Sequence, residues 1–180
     1  MFTREIDKEL KLELATKYIA KDIFEIIDRN RDNLKQYFNW LYSVKEVDDT
    51  KEYIKEQLEK LANSKAIYMA IRYKDKIVGI IDFNSINENR KTAEIGYFLD
   101  KAYRGKGIMR RSVKELLNMA FNIMGMNKVI IRCATNNPKS CNVAKSLGFK
   151  YEGCLREFED INGTLIDVNI FSILKKEYEK

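Results

Sequence analysis

The chain contains no histidine. That excludes Ser-His-Asp and Cys-His nucleophilic units and argues against a zinc site. Proline is nearly absent, with Pro138 the single case, and there are eight glycines in 180 residues. Collagen-like and low-complexity segments are therefore excluded. Cysteine is scarce: Cys133, Cys141 and Cys154 are odd in number and show no CxxC spacing. No signal peptide and no apolar run of membrane length is present. The expectation is a cytoplasmic protein with reduced thiols, no membrane contact and no bound metal. Cys133 and Cys154 are expected to be buried strand residues.

What is present suits a folded domain. Hydrophobic residues make up 45% and charged residues 33% of the chain, and the net charge is +6. A single mixed α/β domain over residues 1–180 can bury a sizeable core. The positive balance fits an acidic or phosphorylated partner, and nucleic acid, an acidic protein and a polyphosphate cofactor all meet that description.

Alternation of Leu10, Leu12 and Leu14 predicts a first strand over Glu9–Leu14. Ile23, Phe24, Ile26 and Ile27 predict a helix over Ala20–Asn30. The aromatic stretch Asn33–Trp40 suits either core packing or the wall of a substrate pocket. Asp48-Asp49-Thr50 opens another helix, with acidic residues near its positive end. Strands follow at Ala66–Tyr73, Ile77–Asn84 and Thr92–Leu99, separated by polar turns. Met109, Val113, Leu116, Leu117, Ala120, Phe121 and Met124 mark an amphipathic helix that ends at Gly125. Lys128–Thr135 reads as a buried strand. A helix from Asn136-Asn137-Pro138 runs to about Leu147, with proline in its first turn. Phe149–Glu159 and Thr164–Leu174 pair about Asn162-Gly163, a hairpin signal.

Between strand and amphipathic helix lies Arg104-Gly105-Lys106-Gly107-Ile108-Met109. A glycine-basic loop that opens a helix aims several N–H groups at one place and adds the helix's partial positive charge, which makes a phosphate cradle. The Lys-Ser/Thr of a Walker A loop is missing. The dinucleotide fingerprint fails because Arg110 stands where its third glycine belongs. On its own the loop also reads as a turn with a solvated basic helix face.

The order of these elements resembles the GCN5-related N-acetyltransferase superfamily, which carries Gln/Arg-x-x-Gly-x-Gly/Ala at this point. Arg104 and Gly107 fit, and Met109 departs at the last position. The chain is most similar to the RimL-type ribosomal-protein serine N-acetyltransferases, over nearly its whole length. Lys91–Tyr97, Gly105–Met109, Asn137–Ser140, Gly148-Phe149, Glu152–Leu155 and Asp167–Asn169 carry that resemblance. It implies a single twisted mixed sheet of seven strands flanked by about four helices. In it the fourth and fifth strands splay apart to admit acetyl-CoA. The main chain at Phe98 and Leu99 would hold pantetheine, and the amides of Arg104, Gly105, Lys106, Gly107, Ile108 and Met109 the pyrophosphate. Asn137 is a pantetheine contact or a helix cap.

Acyl transfer to an amine needs a neutral nitrogen, a stabilised oxyanion and a protonated leaving thiolate. An α-amine, with a pKa of about 7.7–8.0, needs only a modest base, whereas lysine at ~10.4 is almost wholly charged at neutral pH. The superfamily's usual tyrosine acid falls at Ala144, so it is missing. The resemblance implies Ser140 as the acid and Glu159 as the base. The same residues also suit a helix start and a turn carboxylate. Cys141 beside Ser140 has no histidine to activate it, and the family transfers acetyl directly. The reading that follows is N-acetylation of a protein N-terminus, in particular a ribosomal protein, by a homodimer that does not contact nucleic acid directly. Two alternatives stand beside it. One is acetylation of a small amine such as a polyamine, an amino acid or an aminoglycoside. The other is an inactive domain of this fold that binds RNA or the ribosome.

Overall fold

The computed structural model describes residues 2–179. Its strands are β1 (Thr3–Glu5), β2 (Leu10–Leu14), β3 (Ile67–Tyr73), β4 (Lys76–Asn87), β5 (Thr92–Leu99), β6 (Lys128–Ala134), β7 (Lys150–Ile161) and β8 (Thr164–Leu174). The helices are α1 (Ala20–Arg29), α2 (Arg31–Leu34), α3 (Val47–Ala62), α4 (Ile108–Asn118), α5 (Pro138–Ser146) and α6 (Lys175–Tyr178). The strands form one sheet in the order β1-β2-β3-β4-β5-β6-β8-β7. The sheet has eight strands, where seven were expected. The extra one is β1, three residues paired antiparallel with β2 and too short to show a period in sequence.

All neighbours are antiparallel except β5 and β6, which α4 joins in parallel. Hairpins set the rest of the register. Lys74 and Asp75 between β3 and β4, and Asn162 and Gly163 between β7 and β8, all have positive φ. Two left-handed residues in a two-residue turn match the twist of the flanking strands. Glu46 and Asp49 cap α3 reciprocally: the Asp49 carboxylate accepts from the Glu46 amide at 3.0 Å. The helix therefore starts slightly earlier than Asp48-Asp49-Thr50 suggests.

Strand alternation sends side chains to two cores. On one face Ile71, Phe83, Ile95 and Val129 pack under α4, with Val113, Leu116 and Phe121, and toward α5 with Cys141 and Ala144. On the other, Ala70, Ile80 and Phe98 pack under α1 and α3, with Ile23, Ile27 and Ile54. Each such large buried side chain contributes on the order of 1.5–3 kcal/mol, so both helical layers are firmly held. The helix after the loop closes with a π-helical turn over Met119–Ile123 before Gly125, which has a φ of 66°. Strand β7 is the outer edge of the sheet. That overturns the expected burial of Cys154: it is exposed on an edge strand whose residues are nearly all exposed, while Cys133 and Cys141 are buried.

Candidate functional site

β5 and β6 pair only at Thr92↔Lys128, Ala93↔Val129 and Glu94↔Ile130. Beyond that point β5 stays with β4 as far as Gly79↔Leu99, and β6 stays with β8 as far as Ala134↔Val168. Ile95–Leu99 and Ile131–Ala134 thus face each other across an opening, with backbone polar groups left for a ligand. An extended molecule can add there as a strand does. A cavity of about 990 Å³ fills the opening and is lined by both strands, the glycine loop, α2, α3, α5 and the last hairpin.

The loop at its end is braced from below. Asp100, 3% exposed, accepts hydrogen bonds from the Ala102 amide at 3.1 Å and from Arg29 Nε at 2.7 Å. Burial pushes the Asp100 carboxyl up, but these donors outweigh it and the net displacement is downward. Asn30 Oδ1 accepts from the Lys101 amide at 3.1 Å. Gly105 and Gly107 have φ of 78° and 68°, and a Cβ at either would meet nothing within 4 Å. They are glycines for backbone conformation, not for lack of room. Gly107 caps α4, and among the described residues no side chain caps the start of that helix. Its first-turn N–H groups remain for an anion. Met109, 8% exposed, turns into the core beside the sheet, so its size intrudes little on the cradle. Arg104 bends back, its Nε donating to the Leu99 carbonyl at 3.4 Å.

The chemistry-bearing residues gather along the opening. Asn137 caps α5, its Oδ1 accepting from the Ser140 amide at 3.2 Å, and it also lines the cavity. Ser140 Oγ donates to the Tyr97 hydroxyl at 3.2 Å, and that hydroxyl donates to the Ser140 carbonyl at 3.2 Å. Burial pushes the Tyr97 hydroxyl well above the usual tyrosine range, and the Ser140 hydrogen bond opposes this. Tyr97 remains a neutral donor at every working pH. Cys133 and Cys141 lie behind this pair with sulfurs 2.9 Å apart, and burial raises the Cys133 thiol far from any reactive range. Ala144 is fully buried in the core.

Glu159 reaches the cavity from β7, where the register jumps between Leu155↔Val168 and Glu159↔Ile166. Glu157 has a φ of 49° within that irregularity, which re-aims the strand end. Across the apex Arg132 Nε donates to Glu94 Oε1 at 2.8 Å. Tyr37, Phe38 and Trp40 form part of the cavity wall, with Trp40 6.3 Å from Phe98 by ring centroids. The segment over Asn33–Trp40 therefore serves as both: Leu34, Phe38 and Trp40 pack with the core and also line the cavity.

Phe98, Leu99, Arg104, Gly105, Gly107, Ile108, Met109, Asn137, Ser140 and Glu159 all line this one cavity. Lys106 stands above the loop, its ammonium 5.1 Å from the centre of the Tyr103 ring. Sequence reasoning missed Tyr97, whose pairing with Ser140 spans 43 positions. It also missed Thr50, Tyr53, Tyr68 and Asp82, which line the cavity's other side. Asp82 did leave a signal: one carboxylate inside the apolar run Ile77–Phe83.

Residues 9–150 match the family described as an acetyltransferase (GNAT) domain. The ribosomal-protein-serine acetyltransferase of Escherichia coli (strain K12) is 31% identical over 170 residues, 94% of this chain and 95% of that protein. Among solved structures, the microcin C7 self-immunity acetyltransferase MccE in complex with acetyl-CoA and AMP matches with a TM-score of 0.90. Its identity is 31%, and the match covers 94% of each chain. RimL, the ribosomal L7/L12 α-N-protein acetyltransferase in complex with coenzyme A, matches with a TM-score of 0.93 and 25% identity, over 96% of this chain and 98% of that one.

Proposed function

The chain belongs to the acetyltransferase (GNAT) family, and from that premise we propose that it transfers an acetyl group from acetyl-CoA directly to a primary amine, the N-terminal α-amine of a ribosomal protein. The observation that carries the donor is the parting of β5 from β6 beside an uncapped glycine loop. The fit is chemical. Unpaired strand edges suit the amide-bearing pantetheine arm, and the free amides at Gly107–Arg110 suit its pyrophosphate. The relatives described above support the acceptor.

In this reading Phe98 and Leu99 hold pantetheine through their main chain, with Asn137 opposite. Arg104 to Met109 hold the pyrophosphate. The aromatic wall of Phe38 and Trp40 excludes water from the acceptor side. Glu159, exposed at the cavity mouth, takes the proton of the incoming ammonium through water. An α-amine needs only this modest help, because its ordinary pKa is about 7.7–8.0. Ser140, at the start of α5, gives its proton to the departing thiolate. The Ser140 hydroxyl hydrogen, directed at the Tyr97 oxygen in the resting fold, turns to sulfur for this step, and Tyr97 itself stays protonated. Cys141 is buried against Cys133 and takes no part.

The test is a competition. Purified protein receives acetyl-CoA together with ribosomal proteins and with spermidine, and products are read by mass spectrometry. One acetyl group on a ribosomal-protein N-terminus is expected. Acetylspermidine as the dominant product overturns the acceptor assignment, and no transfer to any amine overturns the activity.

A further inference from the structure

Asp82 has no role in the steps described so far, yet it lies beside the reaction centre they require. It stands in β4 between the buried Ile81 and Phe83, and part of its surface faces the cavity. Its cross-strand neighbours are Tyr68 on β3 and Gly96 on β5. The Gly96 N–H donates to Asp82 Oδ1 at 3.0 Å. A Cβ on residue 96 would come within 2.6 Å of that oxygen and 3.0 Å of Asn84 Nδ2, so the glycine is what lets the carboxylate lie over the β5 backbone. Gly96 is two residues past the last β5–β6 pair at Glu94, at the apex of the opening. A pantetheine arm running along β5 from the loop toward that apex would bring its thioester there.

The surroundings are polar and open to a ligand. Tyr53 from α3 stands edge-on to Tyr68, with centroids 5.2 Å apart. Thr50, 2% exposed and lining the same cavity, has an Oγ1 with no hydrogen-bond partner among the described residues. The groups that face Asp82 are Tyr68 from β3, Gly96 and Glu94 from β5, Tyr53 and Lys60 from α3, and Asn84 from its own strand. Glu94 is ion-paired to Arg132 on β6.

We infer that Asp82 is a catalytic carboxylate, the acceptor of the second proton that the amine nitrogen sheds as the amide forms. This rests on the acyl-transfer reading above. The ammonium first loses one proton by way of Glu159 to water. The nitrogen lone pair then bonds to the acetyl carbon, and the carbonyl π pair moves to oxygen. The nitrogen now carries positive charge, and Asp82 takes one of its hydrogens. The carbonyl re-forms, the C–S pair leaves with sulfur, and sulfur takes the Ser140 proton. Ser140 regains a proton from solvent and Asp82 releases its own, so one proton leaves per turnover. Burial pushes the Asp82 carboxyl up to about 7; the Glu94 charge adds to this, while the Gly96 amide and Lys60 oppose it. A carboxylate so placed exchanges a proton readily near neutral pH.

The experiment is the pH profile of kcat between pH 5.5 and 9, with acetyl-CoA and a short serine-initiated peptide. Wild type should rise through a limb near pH 7. Asp82→Asn should lose about 100-fold in kcat and lose the limb, with the KM for acetyl-CoA nearly unchanged. Glu159→Gln should lower kcat/KM for the peptide yet keep the limb. Asp82→Glu should return about a tenth or more of the lost rate, as expected when a carboxylate is restored. An Asn variant that keeps the limb, or stays within threefold of wild type in kcat, overturns the inference. So does failure of both Asp82 variants to bind acetyl-CoA, which makes the residue structural. Wild type that transfers nothing overturns the acyl-transfer reading itself.

Discussion

Replacing Asp82 by Asn should stabilise the protein, and more so at alkaline than at acid pH. The folded carboxyl titrates at about 7 because burial disfavours its charge, whereas an unfolded aspartate titrates near ~3.9. A carboxyl raised on folding contributes fully below its unfolded value, and that contribution is lost as pH rises toward the folded value. Roughly three pH units separate the two, so ionising Asp82 in the fold costs up to about 4 kcal/mol above pH 7. At pH 5 the cost is roughly a third of that, and by about pH 4 it is nearly gone. Part of Asp82 faces the open cavity, which reduces the expected gain at pH 8 to about 2 kcal/mol. Asn keeps the oxygen that accepts from the Gly96 amide, so no buried donor is orphaned. In a chain of this size about 2 kcal/mol raises Tm by roughly 4–8 °C. Thermal unfolding followed by circular dichroism at pH 5 and pH 8, without ligand, measures both numbers. An Asn variant no more stable than wild type at pH 8, or equally displaced at both pH values, would refute the reasoning.

Other substitutions separate the roles of the remaining parts. Gly107→Ala places a side chain at a φ of 68°, which costs about 1 kcal/mol; distortion of the cradle should weaken acetyl-CoA binding about tenfold, equivalent to ~1.4 kcal/mol, as read by calorimetry. Ser140→Ala should lower kcat by about 10–100-fold, within reach of one lost proton donor. It should leave Tm nearly unchanged, because Asn137 caps the residue-140 backbone amide and not its side chain; a large fall in Tm would instead mark Ser140 as structural. Trp40→Ala removes an aromatic from the cavity wall. It should raise the KM for peptide several-fold with little effect on the KM for acetyl-CoA, and an equal effect on both would remove Trp40 from the acceptor side.

Much of the fold was legible because its punctuation is local. Thr92–Leu99 and Thr164–Leu174 were delimited as they stand, since turn residues bound them and apolar residues repeat within them. The expectation at Cys154 failed for a non-local reason. Cys154 and Leu155 are apolar residues within β7, as in an inner strand, but sheet order puts that strand at the edge. β1 escaped because three residues carry no period. The loop and its glycines were legible, as their φ requirement is written in residue type. The opposite wall of the site was not. Thr50, Tyr53, Tyr68 and Asp82 come from α3, β3 and β4 and meet only after the sheet has formed. Spacing within any one element says nothing of that convergence. The Tyr97–Ser140 pair is of the same kind.

The central claim is that acetyl-CoA binds as an added strand in the opening between β5 and β6, with its phosphates on the glycine loop. Amide hydrogen exchange with and without acetyl-CoA tests this most directly. The account predicts slowed exchange in β5 from Ile95 to Leu99 and at the amides of Gly105 to Arg110, with the outer strands β1 and β7 unchanged. Saturable binding that leaves those amides exchanging as before, or no binding at millimolar acetyl-CoA, would contradict it.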